Sequence, residues 1–340
     1  MTTLKDIAKL TGVSINTVSR ALKDKADIGA STKERVRAAA ATLGYTPNVM
    51  ARGLALKRSF SIGLIETELT NPARTVLTEA LRRLAKSNGY QLLISGYGSE
   101  LELGKCIREM ISRGVDGLLM CNISGILSEK SFWPELEAAT RDGIPSVVFY
   151  NAISNKIDNI FVDYSLFTEE LTKHLIEKHS LRNILFAAPD SEYERPAGYR
   201  QAMISAGLEA QVGFIPLPGW TMADARKGII KYLETLPAPE AIVCHNDLQA
   251  IGILAGLRHC GIKTPEDVAV VGVDNIELAD YIAPRLSTAG INPEILAKEA
   301  FKLLKDRIDG LYSGPARRID LRYETFFRES CGCVGKCTNQ

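Results

Sequence analysis

Pro47-Asn48-Val49-Met50-Ala51-Arg52-Gly53-Leu54-Ala55-Leu56-Lys57-Arg58-Ser59 separates a short basic segment from a long alternation of strand and helix patterns. Ala51, Leu54 and Ala55 fall at i, i+3 and i+4, which is helical spacing, and Pro47-Asn48 suits a helix start. About ten residues containing a glycine are too few for a helix standing alone in water, where roughly 12–15 are already marginal. The stretch is therefore either a linker with one turn of helical pattern or a helix that forms only when something buries it. Its flanks decide between the two.

At 340 residues, two or three domains are expected, and 46% apolar with 24% charged residues is ordinary for a globular chain. There is no 18-residue apolar run and no signal peptide at Met1-Thr2-Thr3-Leu4-Lys5-Asp6, so the expectation is a cytoplasmic protein with no membrane partner. The net charge of +1 conceals an asymmetry: residues 1–59 carry a net +7 and the remainder a net −6. A basic head on an acidic body points to a polyanion as the partner of the head. Cys106, Cys121, Cys244 and Cys260 lie in apolar patterns and read as packed small hydrophobes. Cys331, Cys333 and Cys337 cluster in a tail, residues 331–340; C-x-C-x3-C lacks a partner pair, so they read as reactive thiols and no metal is expected.

Before that stretch, Thr3-Leu4-Lys5-Asp6 is a capping box, followed by Leu4, Ile7, Ala8 and Thr11 at helical spacing and Gly12 as a stop. Ser14 caps a second helix that buries Val18, Ala21 and Leu22. Ser31-Thr32-Lys33-Glu34 reads as a further capping box, opening a third helix with Val36, Ala39, Ala40 and Leu43 inward. Helix, tight glycine turn, helix and supporting helix is the helix-turn-helix plan, whose second helix lies in the major groove. Asn16 can bond adenine bidentately, Arg20 can bond guanine, and Ile15 can touch a thymine methyl. Thr3, Ser14, Thr17 and Ser19 suit phosphates, which position without specifying sequence. A helical protein-interaction domain is the rival reading of this head.

Leu4-Lys5-Asp6-Ile7-Ala8, Gly12-Val13-Ser14, Thr17-Val18-Ser19-Arg20, Leu43-Gly44-Tyr45, Pro47-Asn48, Ala51-Arg52 and Leu54 together resemble the lactose/galactose-repressor (LacI/GalR) family over the first 59 residues. The resemblance implies a bacterial regulator, associated with the nucleoid when bound to its operator. It implies a hinge that folds into a helix on DNA, pairs with its twin across a dimer and wedges Leu54 into the minor groove. Tyr45, Asn48 and Ala51 join the DNA-contact set on the same ground. The wedge costs a few kcal/mol of unstacking, recovered through bending and added contacts.

After Ser59 the pattern alternates: strand 60–66, helix 73–87, strand 90–96, helix 100–112, strand 117–122, a helix near 135–142 and strand 146–150. It restarts with strand 159–162, helix 166–178, strand 183–188, helix 197–206, strand 212–217, helix 223–233, strand 241–245, helix 248–260 and strand 268–273. Strands separated by single helices imply parallel sheets covered on both faces, and two series imply two lobes with a ligand cleft at the carboxyl ends of the strands. Gly96-Tyr97-Gly98 lacks the third glycine of a dinucleotide fingerprint, and no G-x-S-x-G, H-E-x-x-H or phosphate-loop motif occurs. No enzyme chemistry and no cofactor are expected.

The body resembles the periplasmic-binding-protein-like sensor of the same family over residues 60–328. That resemblance implies that Arg195, in R-x-x-G-[FY], grips hydroxyls or carboxylates, that Asn246 of an N-D pair bonds ligand while Asp247 caps the next helix, and that Asp274 takes a pair of sugar hydroxyls. Trp220 would be a stacking platform. Where many members end the fourth strand with an acidic residue, this chain has Tyr150 and Asn151, which leaves room for a nucleoside or modified sugar. Glu66, Thr67 and Asn71 are further candidates. The expected organisation is a helix-turn-helix domain at 1–46, a hinge at 47–59 and a two-lobed α/β sensor at 60–330. Its first lobe takes 60–158 and 290–318, its second 159–289 and 319–330. A return helix spans 294–309 and an extended segment 317–327. No leucine heptads follow, so a homodimer on a palindromic operator is expected, released by a sugar-like effector or, alternatively, tightened by a purine or nucleoside corepressor. From another class, a sugar-binding protein or enzyme on the same body is the rival.

Overall fold

In the computed structural model, residues 2–45, 58–67, 70–97, 100–122, 133–150, 156–189, 194–333 and 337–338 are described. The chain divides into two units, Met1–Ser59 and Phe60–Gln340. No helix among the described residues is long and apolar enough to cross a membrane.

The head packs helices Leu4–Thr11 (α1), Ile15–Leu22 (α2) and Ala30–Thr42 (α3) around Ile7, Val18, Ala21, Val36, Ala39 and Ala40. The Asp6 carboxylate accepts from the Thr3 backbone and hydroxyl, closing the capping box, and Gly12 takes the left-handed φ of 68° that the turn requires. Ser14 Oγ accepts from the Thr17 amide and caps α2. The Ser31 box does not form: α3 starts two residues earlier, at Ala30, with Gly29 as its N-cap and no side-chain cap. Gly29 already supplies the extended backbone an N-cap needs, which places Ser31 inside the first turn. Asn48, Ala51 and Leu54 lie outside the described residues.

The body holds two sheets. In the first, strands Ser61–Glu66 (β1), Gln91–Gly96 (β2), Gly117–Asn122 (β3), Ser146–Tyr150 (β4), Asp158–Phe161 (β5) and Arg318–Asp320 (β11) lie in the order β11-β5-β4-β3-β1-β2. All neighbours are parallel. Helices Pro72–Ser87 (α4), Glu100–Ser112 (α5), Trp133–Arg141 (α6) and Pro293–Ile308 (α11) accompany this sheet. The second sheet takes strands Ile184–Ala188 (β6), Gly213–Pro216 (β7), Ala241–Cys244 (β8), Ala269–Val273 (β9), Ser287–Gly290 (β10), Glu324–Phe327 (β12) and Cys337–Thr338 (β13). Their order is β13-β12-β10-β9-β8-β6-β7, with β12 and β13 antiparallel to their neighbours. Helices Tyr164–His179 (α7), Glu194–Ser205 (α8), Met222–Leu233 (α9) and Asp247–His259 (α10) accompany it.

Three expectations change. Strand β5, read as the start of the second lobe, is a strand of the first, paired with β4 and β11. Its buried Asp158 binds Arg307 and Arg317, which return to that lobe, and these ion pairs hold it there. The extended segment 317–327 is two strands, one in each sheet, because the chain crosses between them. Cys260 follows the last turn of α10 and is exposed, whereas Cys331 is buried and β13 adds the tail to the second sheet.

The glycine of the R-x-x-G-[FY] motif has a packing cause. A Cβ on Gly198 would stand 1.7 Å from the Ser165 carbonyl oxygen, so α8 lies directly against the first turn of α7. Gly198→Ala is expected to cost about 3 kcal/mol through overpacking against backbone that cannot yield. Chemical denaturation checks this, and an unchanged midpoint would contradict it.

Candidate functional site

On the head, Ser14, Ile15, Asn16 and Arg20 are exposed along α2, while Thr17 and Ser19 are half-buried. The cap at Ser14 orients the first turn, and Val18 and Ala21, on the opposite face, anchor the helix to the head core. Arg20 forms an ion pair with Asp27 at 2.5 Å, which a guanine contact must break. Thr3 spends its backbone and hydroxyl donors on Asp6, so its hydroxyl must leave that bond to donate to a phosphate. Tyr45 packs against the head core.

In the body, the strand ends converge on a buried polar cluster. Asp274 directly follows β9 with a φ of 112°, and Asn275 comes next at 50°. Arg195, in the first turn of α8, donates from Nη2 to Asp274 Oδ1 at 3.0 Å and from Nη1 to the His245 carbonyl. Its guanidinium lies 4.1 Å over the Tyr164 ring. From the first lobe, Asn71 Nδ2 reaches Asp274 Oδ2 at 3.4 Å, so this carboxylate stands where the two lobes meet. Asn71 also caps α4 through the Ala73 amide. Glu66 and Thr67 are buried at the end of β1, and Glu66 accepts from the Thr67 amide.

The motif pair N-D and G-x-D forms one mechanical unit, and the helix cap falls on Asn246 rather than on Asp247. Asn246, not Asp247, caps α10, its side chain accepting from the Gln249 amide at 2.9 Å. Asp247 is buried and accepts from the Ile276 amide at 2.9 Å and the Thr288 hydroxyl at 2.6 Å. A Cβ on Gly272 would meet Asp247 Oδ1 at 2.3 Å, so the glycine makes room for that carboxylate. Asp247 therefore ties down the loop that presents Asp274. Burial and the nearby Asp274 charge push the Asp247 carboxyl well above the ordinary aspartate range.

Trp220 is partly exposed and meets His245 edge-to-face at 4.9 Å. Burial holds His245 neutral. Tyr150, at the end of β4, is buried in a left-handed conformation with φ 84°. The Arg74 guanidinium lies 3.9 Å over its ring. Asn151 lies outside the described residues. Arg74 and Tyr164 are absent from the sequence-based candidates. Arg74 carried a signal: a cation in the first turn of a helix opposes the helix dipole and asks for a reason. It is buried, and its Nε has no hydrogen-bond partner among the described residues.

Residues 3–48 match the model of bacterial regulatory proteins of the lacI family, and residues 172–331 match a periplasmic binding protein-like domain. The HTH-type transcriptional repressor PurR of Vibrio atlanticus (strain LGP32) is 32% identical over 314 residues, covering 91% of this chain and 92% of that protein. The ribose operon repressor of Escherichia coli (strain K12) is 30% identical over 314 residues, covering 91% and 93%. Among solved structures, the lac repressor dimer bound to operator and the anti-inducer ONPF superposes with a TM-score of 0.84 at 22% identity, over 97% of this chain and 99% of that one. With a helix-turn-helix head, a two-lobed sensor and full-length relatives of this kind, the chain belongs to the lacI family of bacterial regulatory proteins and is a ligand-responsive, DNA-binding transcriptional repressor.

Proposed function

We propose that the repressor acts as a homodimer on a palindromic operator and is released when a small sugar or sugar derivative settles between its lobes, with no catalytic step. The Asn71–Asp274–Arg195 cluster supports this reading above all. A sugar hydroxyl donates and accepts at once. Between a carboxylate and two N–H donors it satisfies all three, and two vicinal hydroxyls span both Asp274 oxygens. Trp220 offers an apolar face beside them. Asp274 is charge-paired with Arg195 and still offers acceptor sites, and Asp247 is spent on Ile276 and Thr288, which fits a binding site rather than an acid-base pair.

A purine or nucleoside corepressor is the second reading. The buried Arg74 beside Tyr150 favours it, since its Nε can donate to the acceptor edge of a base, and the similarity to a repressor named PurR accords with it. A thermal-shift screen against sugars, sugar phosphates, purine bases and nucleosides separates the two. A ligand at 100 times its Kd stabilises by about 2.7 kcal/mol. A shift with sugars supports the first reading; a shift with purines alone supports the second; no shift with any class contradicts both.

The hinge carries its own prediction. Leu54→Ala removes the proposed wedge, and burying a leucine is worth about 1.5–3 kcal/mol. Operator affinity, read by fluorescence anisotropy, is expected to fall at least tenfold, with about 1.4 kcal/mol per tenfold. Identical affinity would remove the wedge from the account.

A further inference from the structure

We propose that His174, His179, Cys331 and Cys333 form a tetrahedral zinc site that fastens the C-terminal tail to the second lobe. These two pairs are more than 150 residues apart in sequence, yet their four ligand atoms all lie within 4.8 Å of one another. His174 Nε2 stands 3.2 Å from His179 Nε2, 3.4 Å from Cys333 Sγ and 3.8 Å from Cys331 Sγ, and His179 Nε2 stands 3.6 Å from Cys333 Sγ. A zinc ion with Zn–N near 2.0–2.1 Å and Zn–S near 2.3 Å sets tetrahedron edges of about 3.3 Å between nitrogens and about 3.6 Å between nitrogen and sulfur. Four of the six separations fall at those edges, and all six stay within 4.8 Å. Four protein ligands leave no open position, which makes the site structural rather than catalytic.

The surroundings prepare each ligand. The His174 ring stacks on Phe327 at 3.5 Å and 8°, which sets its plane. Gly332 takes a φ of 98°, reversing the chain between the two cysteines so that both thiols face the histidines. A Cβ there would come within 3.3 Å of the His179 ring. The preceding residues are already anchored: Glu329 bonds Arg285, and Ser330 Oγ donates to the Val270 carbonyl and accepts from the Ser287 amide. Neither Cys331 nor Cys333 forms a disulfide. The partner pair that C-x-C-x3-C lacks locally is the His-x4-His of α7.

The test uses the intact chain purified with zinc present and passed over a weak chelating resin. Mass spectrometry of the metal is expected to find one zinc per chain. Cobalt in its place should show the intense visible bands of a tetrahedral ion together with thiolate-to-cobalt charge transfer. The double variant Cys331→Ser/Cys333→Ser should lose both signals, while Cys260→Ser, at an exposed thiol, should keep them. Because the double variant could fold poorly, zinc release from the wild-type chain is also followed during titration with a mercurial reagent; release in step with thiol modification supports the site. Zinc far below one per chain, a cobalt spectrum without charge transfer, or zinc kept by the double variant would each overturn it.

Discussion

Replacing Asp274 by asparagine is expected to weaken effector binding about 100-fold while leaving the sensor folded. In the proposed site the carboxylate accepts two hydroxyl hydrogen bonds, and each bond to a charged group is worth about 1.5–3 kcal/mol, or roughly tenfold or more. Asparagine keeps the shape, tolerates the φ of 112°, and offers one acceptor where two are needed. Asp274→Ala should go further. It strands the buried Arg195, and breaking a buried pair costs about 3–5 kcal/mol. The lower end applies, because Arg195 keeps the His245 carbonyl. Calorimetric titration and urea denaturation of both variants separate binding from folding. Wild-type affinity in Asp274→Asn would remove Asp274 from the site.

Asp158→Ala is expected to destabilise the body by about 3–5 kcal/mol, although it touches neither DNA nor ligand. Asp158 is fully buried and accepts from Arg307 Nε and Nη2 at 2.8 and 2.6 Å, and from the Arg317 amide, Nε and Nη2 at 2.7, 3.2 and 2.8 Å. It joins β5, α11 and the start of β11, and alanine would leave two largely buried guanidinium groups facing a void. Burial alone would raise its pKa, but the bonds from Arg307 and Arg317 outweigh it and hold the carboxyl below the ordinary 3.8. The folded value lies below the unfolded one, so this stabilisation is complete above about pH 4 and is lost as pH falls through the folded value. Denaturation midpoints across pH 2–6 should therefore fall more steeply for the wild type than for Asp158→Ala below about pH 4. Parallel curves would contradict the role assigned to Asp158.

Much of this was legible in the sequence because local rules carry it. The head declares itself through caps at Thr3 and Ser14, the glycine turn at Gly12 and buried residues at helical spacing. The body declares itself through alternating runs such as 117–122 and 146–150, whose observed strands match. What was hidden depends on contacts distant in sequence. A four-residue strand such as β5 looks the same in either lobe, and only the ion pairs of Asp158 with Arg307 and Arg317 place it. Strands β10 and β13 are too short for periodicity to register. Adjacent Asn246 and Asp247 are equally good caps on paper. Gly272, a β-strand away, decides that Asp247 turns inward. His174 and Cys331 share nothing in sequence that would pair them.

The proposed mechanism joins the two units through ligand-dependent occupancy of the hinge, which needs a coupling of only about 1–3 kcal/mol. The most direct test is selection of binding sites by the intact protein from randomised duplex DNA, followed by affinity measurement on the selected site with and without the ligand found in the screen, at several salt concentrations. A palindromic site, affinity that falls steeply with salt, and a change of about 5–150-fold on adding ligand are the predicted results. Selection of no palindrome, or an affinity indifferent to a ligand that binds the sensor, would contradict the account.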